Sequence, residues 1–179
     1  MRIITRLFIF VLGASLLLWL FRGPIYRWSV HYRVVDERAS VPALTNTTVK
    51  VHDLASAIQM ALDTTATRLH FSTGKVTNDP GMLIQGSPAN CIGYAALCAA
   101  LVKGHLANAG LGGRFSVVPV VSKLYIMEWD LHTIFRSPFW KDHDVVSITD
   151  SLTGEILLLD PTLYDVFGVA RVSMILPSP

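Results

Sequence analysis

The sequence predicts an α+β domain that follows one N-terminal transmembrane helix. Three observations carry this prediction. An uncharged apolar run occupies residues 7–21, two segments with helical spacing follow it, and the later part of the chain contains short β-branched runs.

The composition is that of an ordinary globular domain with an apolar anchor. Of the 179 residues, 51 % are hydrophobic, and the net charge is only +2. A domain of roughly 130 residues buries enough surface to fold without disulfides or metal. No basic run marks a nucleic-acid partner, so we expect none. We divide the chain into an anchor with its flanks (1–28), a linker or edge segment (29–48) and a domain (49–179).

The apolar run at residues 7–21 is short for a bilayer span, which usually needs about 20 residues. Ile3 and Ile4 bring it near that length if flanking arginines reach the headgroups. A cleaved signal peptide and a buried helix are the alternatives. No small-x-small pair precedes a cleavage point, and aromatic residues follow that are typical of an outer interface, namely Trp19, Tyr26 and Trp28. We therefore expect a single-pass cell-membrane protein whose domain lies on the outer, periplasmic or extracellular side.

Two helices are predicted in the domain. The first begins behind a capping Asp53, with apolar residues at helical intervals up to Leu62. The second starts at Cys91, runs to Ala109 and stops at Gly110. Its alanine-rich first half indicates a buried central helix.

Strands are predicted at residues 115–121, 144–149 and 156–159. The last two are joined by a hairpin turn at residues 150–154. A turn centred near Leu152 makes His143 face Asp160 or Pro161 on the neighbouring strand.

The two cysteines differ in their predicted environments. Cys91 lies at the start of the central helix, where unpaired backbone N–H groups and the macrodipole stabilise a thiolate. Cys98 lies among alanines in mid-helix and reads as a small buried residue. An imidazole beside a carboxylate, as predicted for His143 and Asp160, is the arrangement that activates a thiol nucleophile.

These residues also carry a resemblance to a known family. The run Cys91-x-Gly-Tyr-Ala-x-Leu resembles the core helix of the transglutaminase-like superfamily. His143-Asp-Val-Val and Leu-Asp160-Pro-Thr resemble its histidine strand and its Asp-Pro-Thr strand. The order of the three residues and both spacings agree with the family over about residues 50–165.

The resemblance implies a papain-like core, in which the cysteine helix packs on an antiparallel sheet. It also implies thiol chemistry on amides of a protein or peptide, as hydrolysis, deamidation or acyl transfer, with Cys91, His143 and Asp160 as the triad and no cofactor or metal. Asn90 or Gln85 would supply the side-chain amide of the oxyanion hole. The aromatic residue that commonly follows the histidine by two positions is replaced by Val145. The long segment between Arg114 and His143 offers lid or groove candidates, which are Tyr125, Trp129 and Trp140.

Two alternatives stay open. A metal site could be formed by His132 with Asp142, His143 and Asp144, although the spacing lacks a helical histidine pair. The domain could also be catalytically silent and act as a binding subunit of a membrane complex. Its contact surface would then be the aromatic segment and the apolar tail at residues 166–176.

Overall fold

The computed structural model describes residues 2–45, 51–136 and 141–175. Helices and strands are both present, and the fold is a mixed α+β arrangement. The helices are α1 (Arg2–Leu20), α2 (Arg22–Ser29), α3 (Leu54–Arg68), α4 (Pro80–Leu83), α5 (Cys91–Asn108), α6 (Leu131–Phe135) and α7 (Pro161–Phe167). The strands are β1 (Val30–Glu37), β2 (Leu69–Phe71), β3 (Ser87–Ala89), β4 (Phe115–Ile126), β5 (Trp129–Asp130), β6 (His143–Asp150), β7 (Ile156–Leu159) and β8 (Arg171–Met174).

The N-terminal part consists of two helices rather than one. Among the described residues, no single helix is both long and apolar enough to cross a membrane. Leu7–Leu20 and Arg22–Ser29 together meet the length and composition criteria, but they are bent by 66° relative to each other. The single transmembrane helix expected from the sequence is therefore not established by the structure.

The two predicted helices of the domain are present. The Asp53 side chain caps α3 by accepting from the Ser56 backbone N–H at 2.7 Å, and the Ser56 side chain returns a contact to the Asp53 backbone N–H. Helix α5 begins at Cys91 and is buried along most of its length, as its alanine content predicted. Gly110 follows it with a positive φ of 73°, a conformation that favours glycine.

Five strands of the main sheet form a closed ring. Their order is β1-β8-β7-β6-β4, and β4 also pairs with β1, so that each of these strands has two neighbours. The sheet is antiparallel except for the β1–β8 pair, which is parallel. The short strand β5 extends it beyond β4. Helix α5 packs against β4 and β6 and brings its first residue to the start of β6.

Three segments differ from the sequence-based expectations. Residues 29–48, interpreted as linker or edge structure, contain β1, which is paired on both sides. The long segment before His143 begins with the twelve-residue strand β4. The C-terminal segment, interpreted as an apolar contact tail, forms the end of α7 and strand β8 inside the sheet. Its last residue, Leu176, lies outside the described residues.

Gly104 permits a close crossing of the chain over α5. A β-carbon at this position would lie 1.8 Å from the Leu44 carbonyl oxygen, so no other residue fits without displacing the backbone. The crossing segment is also held by Lys103, which donates to Ser40 Oγ at 2.7 Å and to the Val41 carbonyl at 2.9 Å. These contacts tie the segment after β1 to the central helix.

Candidate active site

Cys91 is the first residue of α5 and is partly buried. Asn90 precedes it as the N-cap, with its side-chain oxygen accepting from the Gly93 backbone N–H at 3.2 Å. The cap fixes the first turn, and Cys91 lies at the helix N-terminus, where early N–H groups have no intrahelical partner. This is an environment in which a developing negative charge is stabilised.

His143 and Asp160 form a hydrogen-bonded pair. His143 Nε2 lies 2.7 Å from Asp160 Oδ2. His143 is the first residue of β6, and its carbonyl accepts from Ser122 Oγ on β4 at 2.8 Å. Since Nε2 is engaged with the carboxylate, Nδ1 is the ring nitrogen left to receive a proton from Cys91.

Asp160 is the N-cap of α7 rather than a residue of β7. Its Oδ1 accepts from the Leu163 backbone N–H at 2.9 Å. Pro161 then occupies the first helical position, where its missing N–H costs nothing. The β6–β7 register pairs Val146 with Leu159. If this register is continued to the start of β6, His143 lies opposite Thr162. Asp160 is therefore diagonal to His143 on the same face instead of directly opposite.

Two tyrosines extend this pair. The Tyr32 hydroxyl donates to Asp160 Oδ2 at 2.8 Å, and the Tyr26 and Tyr32 hydroxyls are 2.6 Å apart. Because the Tyr32 hydroxyl donates its one proton to the carboxylate, the Tyr26 hydroxyl donates to the Tyr32 oxygen. Burial and the charge of Asp160 raise the pKa of Tyr32, so this hydroxyl stays protonated as a donor. Tyr26 was interpreted from sequence as an interfacial aromatic, but its hydroxyl belongs to the site.

The charges of the pair stabilise one another. Burial by itself lowers the pKa of His143, but the Asp160 carboxylate and the neighbouring Cys91 outweigh burial and raise it to about 10. Burial likewise tends to raise the pKa of Asp160, but the His143 charge and three hydrogen bonds lower it. The pair is therefore an imidazolium beside a carboxylate at neutral pH.

A second carboxylate lies beside the sulfur. Asp144 Oδ2 is 3.8 Å from Cys91 Sγ, and Asp144 is almost fully buried. Arg38 pairs with it, with Nε 2.7 Å from Oδ1 and Nη2 3.3 Å from Oδ2. The guanidinium offsets a negative charge that would otherwise oppose a thiolate at Cys91.

Cys98 is fully buried in α5, and burial raises the pKa of its thiol to about 12. Both cysteines are free thiols. The two environments thus differ in the way that the sequence indicated: one sulfur faces charged partners, and the other is enclosed in the core.

A cleft of about 310 Å³ opens beside the His143–Asp160 pair. Most of its walls are apolar or aromatic, and they come from α2, β1, β2, β4 and α7: Tyr26, Tyr32, Phe71, Leu124, Leu163, Val166 and Phe167. The polar lining residue Thr162 has its Oγ1 buried, and this oxygen finds no hydrogen-bond partner among the residues that the structure describes.

The predicted groove residues do not form these walls. Tyr125 follows the lining residue Leu124 on β4 and therefore points to the other face, where the Arg33 guanidinium lies 4.8 Å from its ring centroid. Trp129 is 69 % exposed on β5. Trp140 lies outside the described residues.

The two oxyanion candidates differ in position. Asn90 adjoins Cys91, and because its oxygen is used for capping, its NH₂ group is the part that can donate. Gln85 is exposed in the turn after α4.

The alternative metal site is not assembled. Within residues 2–45, 51–136 and 141–175, no group of three or more His, Cys, Asp or Glu side chains could hold a metal ion. Asp144 is paired with Arg38, and His143 with Asp160, so these side chains serve charge pairs.

Sequence reasoning missed Tyr32, Arg38 and the pairing of Asp144. A signal was present for Tyr32, because Val30, Tyr32 and Val34 alternate with polar residues as in a half-buried strand. No local signal linked Arg38 to Asp144, since the two are 106 positions apart.

In comparisons with known proteins, no family model, no curated protein and no solved structure matches this chain.

Proposed function

We propose that this chain is a membrane-anchored enzyme of the transglutaminase-like type that performs thiol-dependent chemistry on amides. The observation that carries the proposal is the juxtaposition of Cys91, at the N-terminus of a buried helix, with the His143–Asp160 pair. The resemblance of the three surrounding sequence runs to that superfamily supports the same chemistry.

In the proposed reaction, Cys91 has already passed its thiol proton to His143 Nδ1, and the Sγ thiolate of this ion pair attacks the carbonyl carbon of the amide. The backbone N–H of Cys91 and the amide of Asn90 donate to the oxyanion. The C–N bond then breaks, and the leaving amine takes its proton from the imidazolium. The resulting thioester passes to water, which gives a carboxylic acid, or to an amine, which gives a new amide.

Asp160 and Tyr32 hold the histidine in this mechanism. The carboxylate accepts from Nε2, which leaves Nδ1 as the nitrogen that exchanges a proton with Cys91, and the Tyr32 hydroxyl and Leu163 N–H fix the carboxylate in turn. Asp160 is therefore a positioning residue that also stabilises the imidazolium.

The apolar residues 7–20 and α2 support anchoring in a membrane, because together they meet the length and composition criteria for a span. The proposal includes a position of the domain on the outer side of the cell membrane. A protein or peptide amide in that compartment is the substrate class.

The second candidate function is a catalytically silent binding subunit of a membrane complex. The specific observation in its favour is Asp144, a carboxylate 3.8 Å from the sulfur that disfavours a thiolate unless Arg38 remains paired with it.

Limiting iodoacetamide distinguishes the two functions in the full-length protein between pH 5 and 9. For the enzyme, we expect Cys91 to react about 100-fold faster than the buried Cys98 and to keep reacting below pH 7, because the imidazolium stabilises the thiolate. In His143→Ala this advantage is lost, whereas His52→Ala, at an exposed histidine, leaves it unchanged. Slow labelling of both thiols, indifferent to His143→Ala, would support the binding subunit instead.

A further inference from the structure

The cleft beside the His143–Asp160 pair is built for an uncharged chain. Phe71, Leu124 and Leu163 contribute apolar wall, and the carboxylate at its base is neutralised by His143. Its volume of about 310 Å³ is at the lower end of the range for small-ligand sites, and it corresponds to roughly ten water molecules. A flexible chain of several methylenes has this size, and the charges of His143 and Asp160 beside it are already paired with each other.

The cleft lies where α1 meets the domain. Tyr26, on α2, forms part of its wall. At the start of α2, Arg22 Nε donates to the Phe167 carbonyl at the end of α7, and Arg22 Nη1 donates to the Trp19 carbonyl at 2.6 Å. The end of α1 is therefore fixed against the helix that lines the cleft.

Exposed apolar side chains lie on both sides of the Arg22–Phe167 contact. Val166 and Phe167 line the cleft and are also 59 % and 55 % exposed. Leu20, the last residue of α1, and Phe21 after it are 55 % and 54 % exposed. Exposed apolar side chains of this kind mark contact with a lipid phase or an apolar partner.

We propose that the cleft binds the hydrocarbon chain of a membrane-resident acylated peptide, whose amide then lies beside His143, the residue that lines the cleft and is hydrogen-bonded to Cys91. This inference rests on the proposed function and names the substrate class of the same site.

The inference is tested with alkylating probes on the full-length protein in phosphatidylcholine nanodiscs. N-methyl and N-hexyl iodoacetamide differ by five methylenes, and each methylene that the cleft buries accelerates alkylation about fourfold. We expect the hexyl-to-methyl rate ratio at Cys91 to be about 50-fold, with roughly three methylenes buried. Val166→Trp, which places an indole in the mouth of the cleft, should reduce the ratio at least tenfold.

Val35→Trp is the matched control, because Val35 is 48 % exposed on β1 and does not line the cleft. The control should keep the wild-type ratio, since partitioning of the probe into the nanodisc is equal in all three proteins. An equal ratio in all three proteins would overturn the inference. It would also be overturned if iodoacetyl-phenylalanine amide were accelerated while the hexyl probe was not, because the cleft would then select an aromatic side chain of a soluble peptide.

The outcome is separable from that of the proposed function. A ratio of rates cancels the intrinsic reactivity of the thiol, so a poorly activated Cys91 still reports whether the chain is bound. Slow methyl labelling that does not respond to His143→Ala counts against the catalytic function alone.

Discussion

His143 Nε2 and Asp160 Oδ2 lie 2.7 Å apart although their backbones are not cross-strand partners. The contact depends on Asp160 being the N-cap of α7, which turns its carboxylate back toward β6. Oδ2 is also the acceptor for Tyr32, while Oδ1 serves the helix cap. One carboxylate thus joins a strand histidine, a tyrosine from β1 and a helix terminus.

The Asp144 charge beside the sulfur yields a prediction about reactivity. In Arg38→Ala the carboxylate is left without its cation, and we expect Cys91 alkylation at pH 7 to slow about fivefold, equivalent to roughly 1 kcal/mol. Adding Asp144→Asn to Arg38→Ala should restore the rate, because no charge then remains to be offset. The alkylation rates of Cys91 in the three proteins are measured by peptide mass spectrometry. A double variant as slow as Arg38→Ala would mean that Arg38 acts through something other than Asp144.

Removal of the Tyr32 hydroxyl should destabilise the protein. In Tyr32→Phe, the Asp160 carboxylate loses a buried donor and the Tyr26 hydroxyl loses its acceptor, so we expect a loss of about 1.5–3 kcal/mol in the free energy of unfolding. Tyr26→Phe is the control that removes only the outer bond, with a loss of about 1 kcal/mol. Thermal or denaturant unfolding measures both variants. Equal losses in the two variants would show that the hydrogen bond from Tyr32 to Asp160 adds no stability beyond that of the bond between Tyr26 and Tyr32.

The His143–Asp160 pair should make stability depend on pH. The pKa of His143 is raised from 6.5 to about 10, so its contribution is complete below pH 6.5 and is lost as the pH rises toward 10. The pKa of Asp160 is lowered, so its contribution is present above about pH 4 and is lost in more acidic solution. We therefore expect the difference in melting temperature between the wild type and His143→Ala to be largest between about pH 4 and pH 6.5.

This difference should amount to about 5 °C, from ~2 kcal/mol in a chain of this size. It should shrink on both sides of that window. Differential scanning fluorimetry over pH 3–10 supplies the measurement. A difference that is constant with pH would indicate that the imidazole contributes by packing and not by its charge.

The contacts of α2 determine where a stable soluble domain begins. A chain starting at residue 29 lacks Tyr26 and also the Arg27 carbonyl, which accepts from Ser173 Oγ at 2.7 Å. We expect residues 29–179 to be about 1–3 kcal/mol less stable than residues 22–179. Tyr26→Phe in the longer chain should cause part of the same loss of stability, because it removes one of the two contacts that the truncation removes. Urea unfolding of the three proteins tests this, and equal stability would mean that α2 belongs to the anchor only.

Much of the site was predictable from sequence because its signals are local. A capping residue before an alanine-rich helix places Cys91 at a helix N-terminus, and Asp160 followed by proline is a helix-start signature. The predicted hairpin turn paired the histidine and aspartate strands correctly, but with a register that is wrong by one residue. Such an error changes which face a side chain occupies, so the register had to come from the paired strands themselves.

The remaining parts of the site depend on distant segments. Tyr32 reaches Asp160 only because β1 is inserted between β8 and β4, far from either in sequence. The same insertion brings Arg38 to Asp144, and residues of α2 and α7 complete the walls of the cleft.

The sequence by itself determined the starts of α3 and α5, the strands β4, β6 and β7, and the candidate cysteine, histidine and aspartate, since these follow from caps, periodicity and turn residues within short windows. The tertiary structure alone decided which carboxylate meets the thiol, which tyrosine holds Asp160, and what lines the cleft. Those outcomes follow from closure of the sheet, which juxtaposes side chains more than 100 positions apart. No local pattern encodes such pairings, because their energy arises only when the strands that carry them are packed together.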